Sequence, residues 1–249
     1  LAAERAGARW IHQDRMWHYT EGICNWDPVW RGHGIRILPG PSSLWIDARG
    51  RRLPAPAYPG FDTTSTLRHL RTTGHDHSWF VLTRKIIEKE FALSGSEQNP
   101  DLTGRDWTQV AGRVRPGAPG PVQAFLDHGE DFLQAATLPE LVARMNALTG
   151  EELIDAGELE RTVRARDAEV RNPFSKDTQI TALRGARNYL GDRLIRGAAP
   201  HRLLDPAAGP LIALRLHVLL RKTLGGLETD LGGRVQRSAA RSGAGALPG

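Results

Sequence analysis

Cysteine is almost absent from this chain; Cys24 is the only one. A lone thiol excludes an internal disulfide framework and suits a reducing, cytoplasmic compartment. Long apolar runs are missing too. The longest, Leu211–Leu220, is interrupted by Arg215 and His217 and falls well short of the ~20 residues that span a bilayer. Clustered basic residues interleaved with aromatics are not found either. The net charge of +5 is spread over the whole chain, and its densest stretch, "ERTVRARDAEVR", alternates arginines with Glu160, Asp167 and Glu169. That pattern reads as a solvated helix face and argues against nucleic acid as a partner. Metal-ligand spacing is equally scarce. His75 and His77 flank Asp76, but no third ligand follows at a telling distance, so no metal site is expected.

What is present suffices for a packed core, since 40% of the 249 residues are hydrophobic and seven are tryptophan. Along the chain, "ARWIHQDRMWHYTEGI" reads as a strand leading into a loop, and "SSLWIDARGRRLPAP" as strand, turn and return strand stopped by Pro54. "TTSTLRHLRTTG" predicts a short helix with a threonine cap, and "SWFVLTRKIIEKEFALSG" a longer, mainly helical segment. Residues 94–120 are rich in Gly, Pro, Asn and Asp and read as an irregular excursion. A short helix ("PVQAFLDHG") and a strand ("DFLQAA") follow. Then comes a helix whose Thr137 and Glu140 form the sequence pattern of a capping box, with Gly150 as its stop. "EELIDAGELERTVRARDAEV" predicts another helix, "NPFSKD" its end, and "RNYLGDRLIRG" a lead into an Arg-rich loop. "PLIALRLHVLLRKTLGGLETDLGGRV" reads as β structure with turns at Gly225–Gly226 and Gly232–Gly233.

The first glycine pair poses a chemical question. Glycine weakens a strand, because it adds backbone entropy and packs no side chain. Gly225–Gly226 directly after Lys222, Thr223 and Leu224 has two physical readings. One is hairpin chemistry with Lys222 in solvent. The other is a flat ligand lying so near the backbone that no Cβ fits. Elsewhere, His18 beside Tyr19 offers an acid–base pair for a ketone-like substrate. Arg52 and Arg68 offer fixed cations able to hold an anionic group. Cys24 has no clear activating partner and reads as inert.

Three pieces of the sequence, in this order, carry a resemblance: "LWIDARGRRL", "QAATLPELVARMNA" followed by "ELERTVRARD", and "RKTLGGLETD". Together with "RMWHYTEGI" and "GIRILPGPSSLW", they resemble the FAD-dependent oxidoreductases that include fumarate reductases and 3-ketosteroid dehydrogenases. Within that family the likeness is to bacterial proteins called FAD-binding dehydrogenases. The resemblance implies FAD as cofactor and a small-molecule substrate such as a ketone, enone or unsaturated acid. It implies that Thr223, Leu224, Gly225 and Gly226 line the flavin ring, and that Lys222 stands where fumarate reductases carry a substrate-binding histidine. It also puts Arg52 and Arg68 in the stretch where reductases of the family place a catalytic arginine, although prolines stand here in place of the usual Asn-Glu.

The architecture so implied is α+β. A mainly helical cap or substrate domain is expected over residues 38–205, bracketed by strands of an incomplete FAD-binding domain over 1–37 and 206–235. No Gly-x-Gly-x-x-Gly occurs among these residues, and 236–249 reads as a loose or aberrant tail. The chain therefore reads as a fragment lacking the family's dinucleotide-binding start and its last flavin-binding segment. The competing reading is a stand-alone basic module that meets an acidic partner and whose glycines are only turns.

Overall fold

A strand covered on both faces is written as a near-continuous apolar run, and the longest such run here becomes the central strand of a sheet. The computed structural model describes residues 2–38, 40–94, 108 and 116–238. Its strands are β1 (Trp10–Ile11), β2 (Met16–Cys24), β3 (Gly34–Leu38), β4 (Leu44–Asp47), β5 (His77–Thr83), β6 (Ala92–Ser94), β7 (Phe132–Ala135), β8 (Leu211–Thr223) and β9 (Gly226–Leu227). Seven of them form one sheet in the order β4-β5-β8-β2-β3-β6, with β7 also on β8. β5 runs antiparallel along β8 from His77 opposite His217 to Thr83 opposite Leu211, and β7 pairs with β8 from Phe132 opposite Leu214 to Ala135 opposite Leu211. Helices with antiparallel strands make the fold α+β, as the sequence implies.

The chain divides into two compact units, one formed by the residues up to His18 together with those from Leu220 on, the other by Tyr19–Leu219. In the larger unit the core is the middle of the sheet. Trp79, Phe80, Val81, Leu82, Ile212, Ala213 and Leu214 are all fully buried. Two helices cover it with their apolar faces: Leu138–Thr149 through Leu141 and Met145, and Ala156–Arg171 through Leu159 and Val163. The first is closed at both ends as its sequence predicts. Thr137 and Glu140 make a reciprocal capping box, and Gly150 adopts φ 72°, a left-handed stop that suits glycine.

Several expectations are corrected here. "SWFVLT" is the interior strand β5 rather than helix, because its aromatic and β-branched residues are buried on both faces; only Arg84–Glu90 is helical, capped by Thr83. The helix over Thr63–Thr72 is capped by Asp62, whose carboxylate accepts from the amides of Thr64 and Ser65. Past "NPFSKD" lie two further helices, Thr178–Ala186, where the sequence assigns no element, and Leu190–Ile195, within the stretch read as a lead into a loop. The supposedly solvated helix face buries an ion pair. Arg166 is only 1% exposed, contacts Asp167 at 3.1 Å, and donates to the carbonyls of Ser42 and His201. Of the excursion expected over 94–120, residues 95–107 and 109–115 lie outside the described residues, as do 239–249 of the tail.

In the smaller unit the two ends of the chain meet. β1 pairs antiparallel with β9, placing Trp10 opposite Leu227 and Ile11 opposite Gly226. Arg9 extends the ladder by donating its amide to Gln236 and accepting from Glu228, and its side chain reaches the Glu228 carboxylate at 2.9 Å. Among the described residues, no helix is long and apolar enough to cross a membrane.

Candidate functional site

The glycine turn lies in the smaller unit, at the end of β8. Thr223 Oγ1 accepts the Gly225 amide at 3.0 Å, and the Leu224 amide donates to the Arg15 carbonyl at 2.9 Å. The two glycines turn out to be unlike. A Cβ on Gly225 would sit 2.6 Å from the His12 carbonyl oxygen and 2.9 Å from that of Ile11. The chain's own crossing backbone therefore requires a glycine at 225. A Cβ on Gly226 would meet nothing within 4 Å, so this position leaves open room beside the backbone. Lys222, Thr223 and Leu224 are exposed next to it. A flat ring can approach Gly226 without a side chain in its way, so these residues fit the ring-facing part of an FAD. A Gly-rich loop for the pyrophosphate is not written in them.

Of the other residues expected at a site, His18 belongs to the smaller unit and Tyr19, Arg52 and Arg68 to the larger one. Arg52 is held in the larger unit by a bidentate contact to Asp177, at 2.5 and 3.1 Å, and by Gln179 Oε1 at 3.0 Å. Burial pushes the Asp177 carboxyl up, but the Arg52 guanidinium and the amides at the helix start outweigh it and hold the pKa down. Arg52 thus ties the "DARGRR" turn to the start of the Thr178–Ala186 helix. Arg68 is exposed on the helix Thr63–Thr72. Tyr19 carries the guanidinium of Arg36 over its ring, 4.0 Å from the centroid. His18 precedes it on β2, where consecutive residues face opposite sides of a strand.

A constellation that no sequence motif announces lies inside the larger unit, around Asp131. This carboxylate is fully buried and accepts three donors: the Cys24 amide at 2.7 Å, Arg215 Nε at 2.7 Å and His217 Nε2 at 3.1 Å. Burial alone would raise its pKa, but the hydrogen bonds from His217, Cys24 and Arg215 overcome that and hold it below the usual carboxylate range. Because an ionised carboxylate only accepts, the ring proton of His217 sits on Nε2 and leaves Nδ1 as an acceptor. The Cys24 thiol, by contrast, is pushed up to about 12 by burial and by Glu130 and Asp131, and stays protonated.

Beside this cluster is a cavity of about 590 Å³ whose walls include Ile23, Trp26, His33, Glu130, His217 and Leu219. His33 Nδ1 accepts from the Val29 amide at 3.3 Å and lies 3.2 Å from Asn25 Nδ2, which puts its proton on Nε2. The one local signal of the cluster is the spacing of Arg215 and His217, two apart and so on one strand face. Their carboxylate partner is 84 and 86 residues away.

Known proteins resemble this chain closely. It is 64% identical over 233 residues to a KsdD-like steroid dehydrogenase of Mycolicibacterium smegmatis, covering 94% of this chain and 43% of that protein. It is 62% identical over 237 residues to a KsdD-like steroid dehydrogenase of Mycobacterium tuberculosis, covering 95% of this chain and 42% of that one. The chain thus spans less than half the length of these relatives. A solved structure, the open conformation of a flavocytochrome c3 fumarate reductase, aligns with a TM-score of 0.49 and 13% identity over 94% of this chain and 31% of its own. The profile of the FAD binding domain family matches residues 1–245, so the chain belongs to that family of flavoproteins.

Proposed function

We propose that the whole protein is an FAD-dependent dehydrogenase acting on a neutral, steroid-like ketone or enone. The observation that carries this reading is the exposed turn Lys222–Gly226, where an open glycine face lies beside a cation and a hydroxyl in a chain of the FAD-binding family. The names of the relatives supply the substrate class. When bound, FAD supplies a hydride-accepting ring nitrogen.

This chain's own residues have narrower tasks in the proposal. The backbone at Gly226 lets the ring approach, and Thr223 Oγ1 fixes the turn by accepting the Gly225 amide. The Lys222 ammonium holds the substrate's carbonyl oxygen and stabilises negative charge that builds on it. Leu224, 53% exposed, gives the turn an apolar surface that excludes water once a ligand covers it. In this proposal residues 1–37 and 206–235 belong to the FAD-binding domain and residues 38–205 to the cap. Arg52 and Tyr19, engaged by Asp177 and Arg36, brace the fold rather than touch substrate.

The test uses the whole protein, mixed without oxygen with 4-androstene-3,17-dione while flavin absorbance is followed. Bleaching of the oxidised flavin at a rate that saturates with the ketone is the expected result. A protein that holds no flavin, or flavin that stays oxidised with ketones and enones alike, overturns the reading.

A further inference from the structure

We infer that the cavity beside Asp131 is a binding site for a neutral, largely apolar ligand bearing a hydroxyl, and that His33 donates to that hydroxyl while His217 accepts from it. The inference rests on the proposed function for its choice of ligand class, while the site itself lies wholly within Tyr19–Leu219.

Size and wall chemistry set the class. About 590 Å³ falls within the roughly 300–1,000 Å³ of ordinary small-molecule sites. Ile23, Trp26, Pro28, Val218 and Leu219 make much of its wall apolar. No Lys or Arg is among its described lining residues, and Glu130 is. Arg215, on the same strand as His217, is committed to Asp131 at 2.7 Å, with Glu130 at 3.8 Å. An anionic ligand would meet the Glu130 carboxylate with no Lys or Arg among the described lining residues, so the wall disfavours it.

Three histidines line the cavity; His128 lies against Trp26 with ring centroids 5.1 Å apart, and polar recognition comes from the other two, whose protons are fixed by their neighbours. His33 offers an N–H from Nε2, because its Nδ1 is occupied as an acceptor. His217 offers the bare Nδ1, because its Nε2 proton is held by Asp131. A ketone oxygen can accept from the first, and a hydroxyl can serve both at once. Asp131 makes no contact with the ligand in this scheme. It is a positioning residue that fixes the tautomer and ring orientation of His217. Cys24, kept as a thiol, contributes surface rather than chemistry.

The inference is tested on this chain without flavin. Testosterone, a neutral keto-steroid that carries a hydroxyl, should quench tryptophan emission saturably, since Trp26 forms part of the wall. His217→Phe keeps the ring and removes the nitrogen, and should weaken binding about tenfold, the equivalent of one hydrogen bond. A steroid carboxylate of the same skeleton should compete much less well. Because His217→Phe also strips a partner from Asp131, a second measurement needs no variant: the ligand should protect His217 and His33 from diethyl pyrocarbonate, mapped by mass spectrometry. Absent saturable quenching, unchanged affinity in a folded His217→Phe chain, or protection confined to other histidines each overturns the inference. Binding here with no flavin bleaching in the whole protein would sink the dehydrogenase reading alone; bleaching there without binding here would sink only this site.

Discussion

The carbonyl oxygen of His12 lies 2.6 Å from the point where a side chain on Gly225 would begin. The glycine pair is thereby divided, with 225 demanded by the fold and 226 facing open space. Gly225→Ala should destabilise the chain by about 1–3 kcal/mol, the usual cost of forcing an atom into packed surroundings. Gly226→Ala should stay within about 0.5 kcal/mol, yet lower flavin content in the whole protein. Urea denaturation of both variants, with flavin absorbance at purification, checks the division. Equal stability losses at both positions would refute it.

Lys222 and Arg52 should separate cleanly in the whole protein. Lys222→Met is expected to cost about 2–4 kcal/mol in transition-state binding, read from kcat/KM, with an unchanged Tm. Arg52→Ala should instead lower stability by about 1–2 kcal/mol, because it strands the partly exposed Asp177 at a helix start. Lys222→Met turning over at the wild-type rate would reduce that lysine to a solvent residue.

Cys24 should be a poor nucleophile. With its thiol pushed up to about 12, little thiolate exists at pH 8, and iodoacetamide should label the native chain far more slowly than the urea-unfolded one. Native labelling at the unfolded rate would contradict the placement of Cys24 beside Glu130 and Asp131.

Glu90 makes stability pH-dependent in a predictable sense. Burial raises this carboxyl to about 7, against partial relief from the Ser42 hydroxyl and amide, the Ala198 amide and the charge of Arg166. Its folded pKa lies above the unfolded one, so between about pH 4.5 and 7 the unfolded state loses the proton first. This group's contribution is therefore most favourable at low pH and falls by about 3 kcal/mol across that window. Glu90→Gln should flatten the fall, as measured by urea midpoints from pH 5 to 8. An unaltered slope in the variant would rule Glu90 out as its source.

The purified chain should hold no stoichiometric FAD, because no Gly-rich strand–helix turn among its residues can cradle the pyrophosphate. Absorbance of the folded chain after dialysis against excess FAD is the check, and a stably yellow sample would overturn it.

What the sequence determines by itself is local. Capping residues, glycine stops and apolar runs act within a few positions of themselves, so Thr137 with Glu140, Gly150 and the β8 run are legible in the residues alone. The family is legible for the same reason, since its motifs are short and ordered along the chain. Tertiary structure decides the rest, because burial and charge pairing are set by partners far away in sequence. "SWFVLT" becomes a strand only by lying between β4 and β8. Arg166 leaves solvent because Asp167 and the carbonyls of Ser42 and His201 surround it. Arg52 is paired with Asp177, 125 residues on. Asp131, Arg215 and His217 likewise become a cluster only when β8 is laid beside β7, since no spacing along the chain encodes a contact made across a sheet.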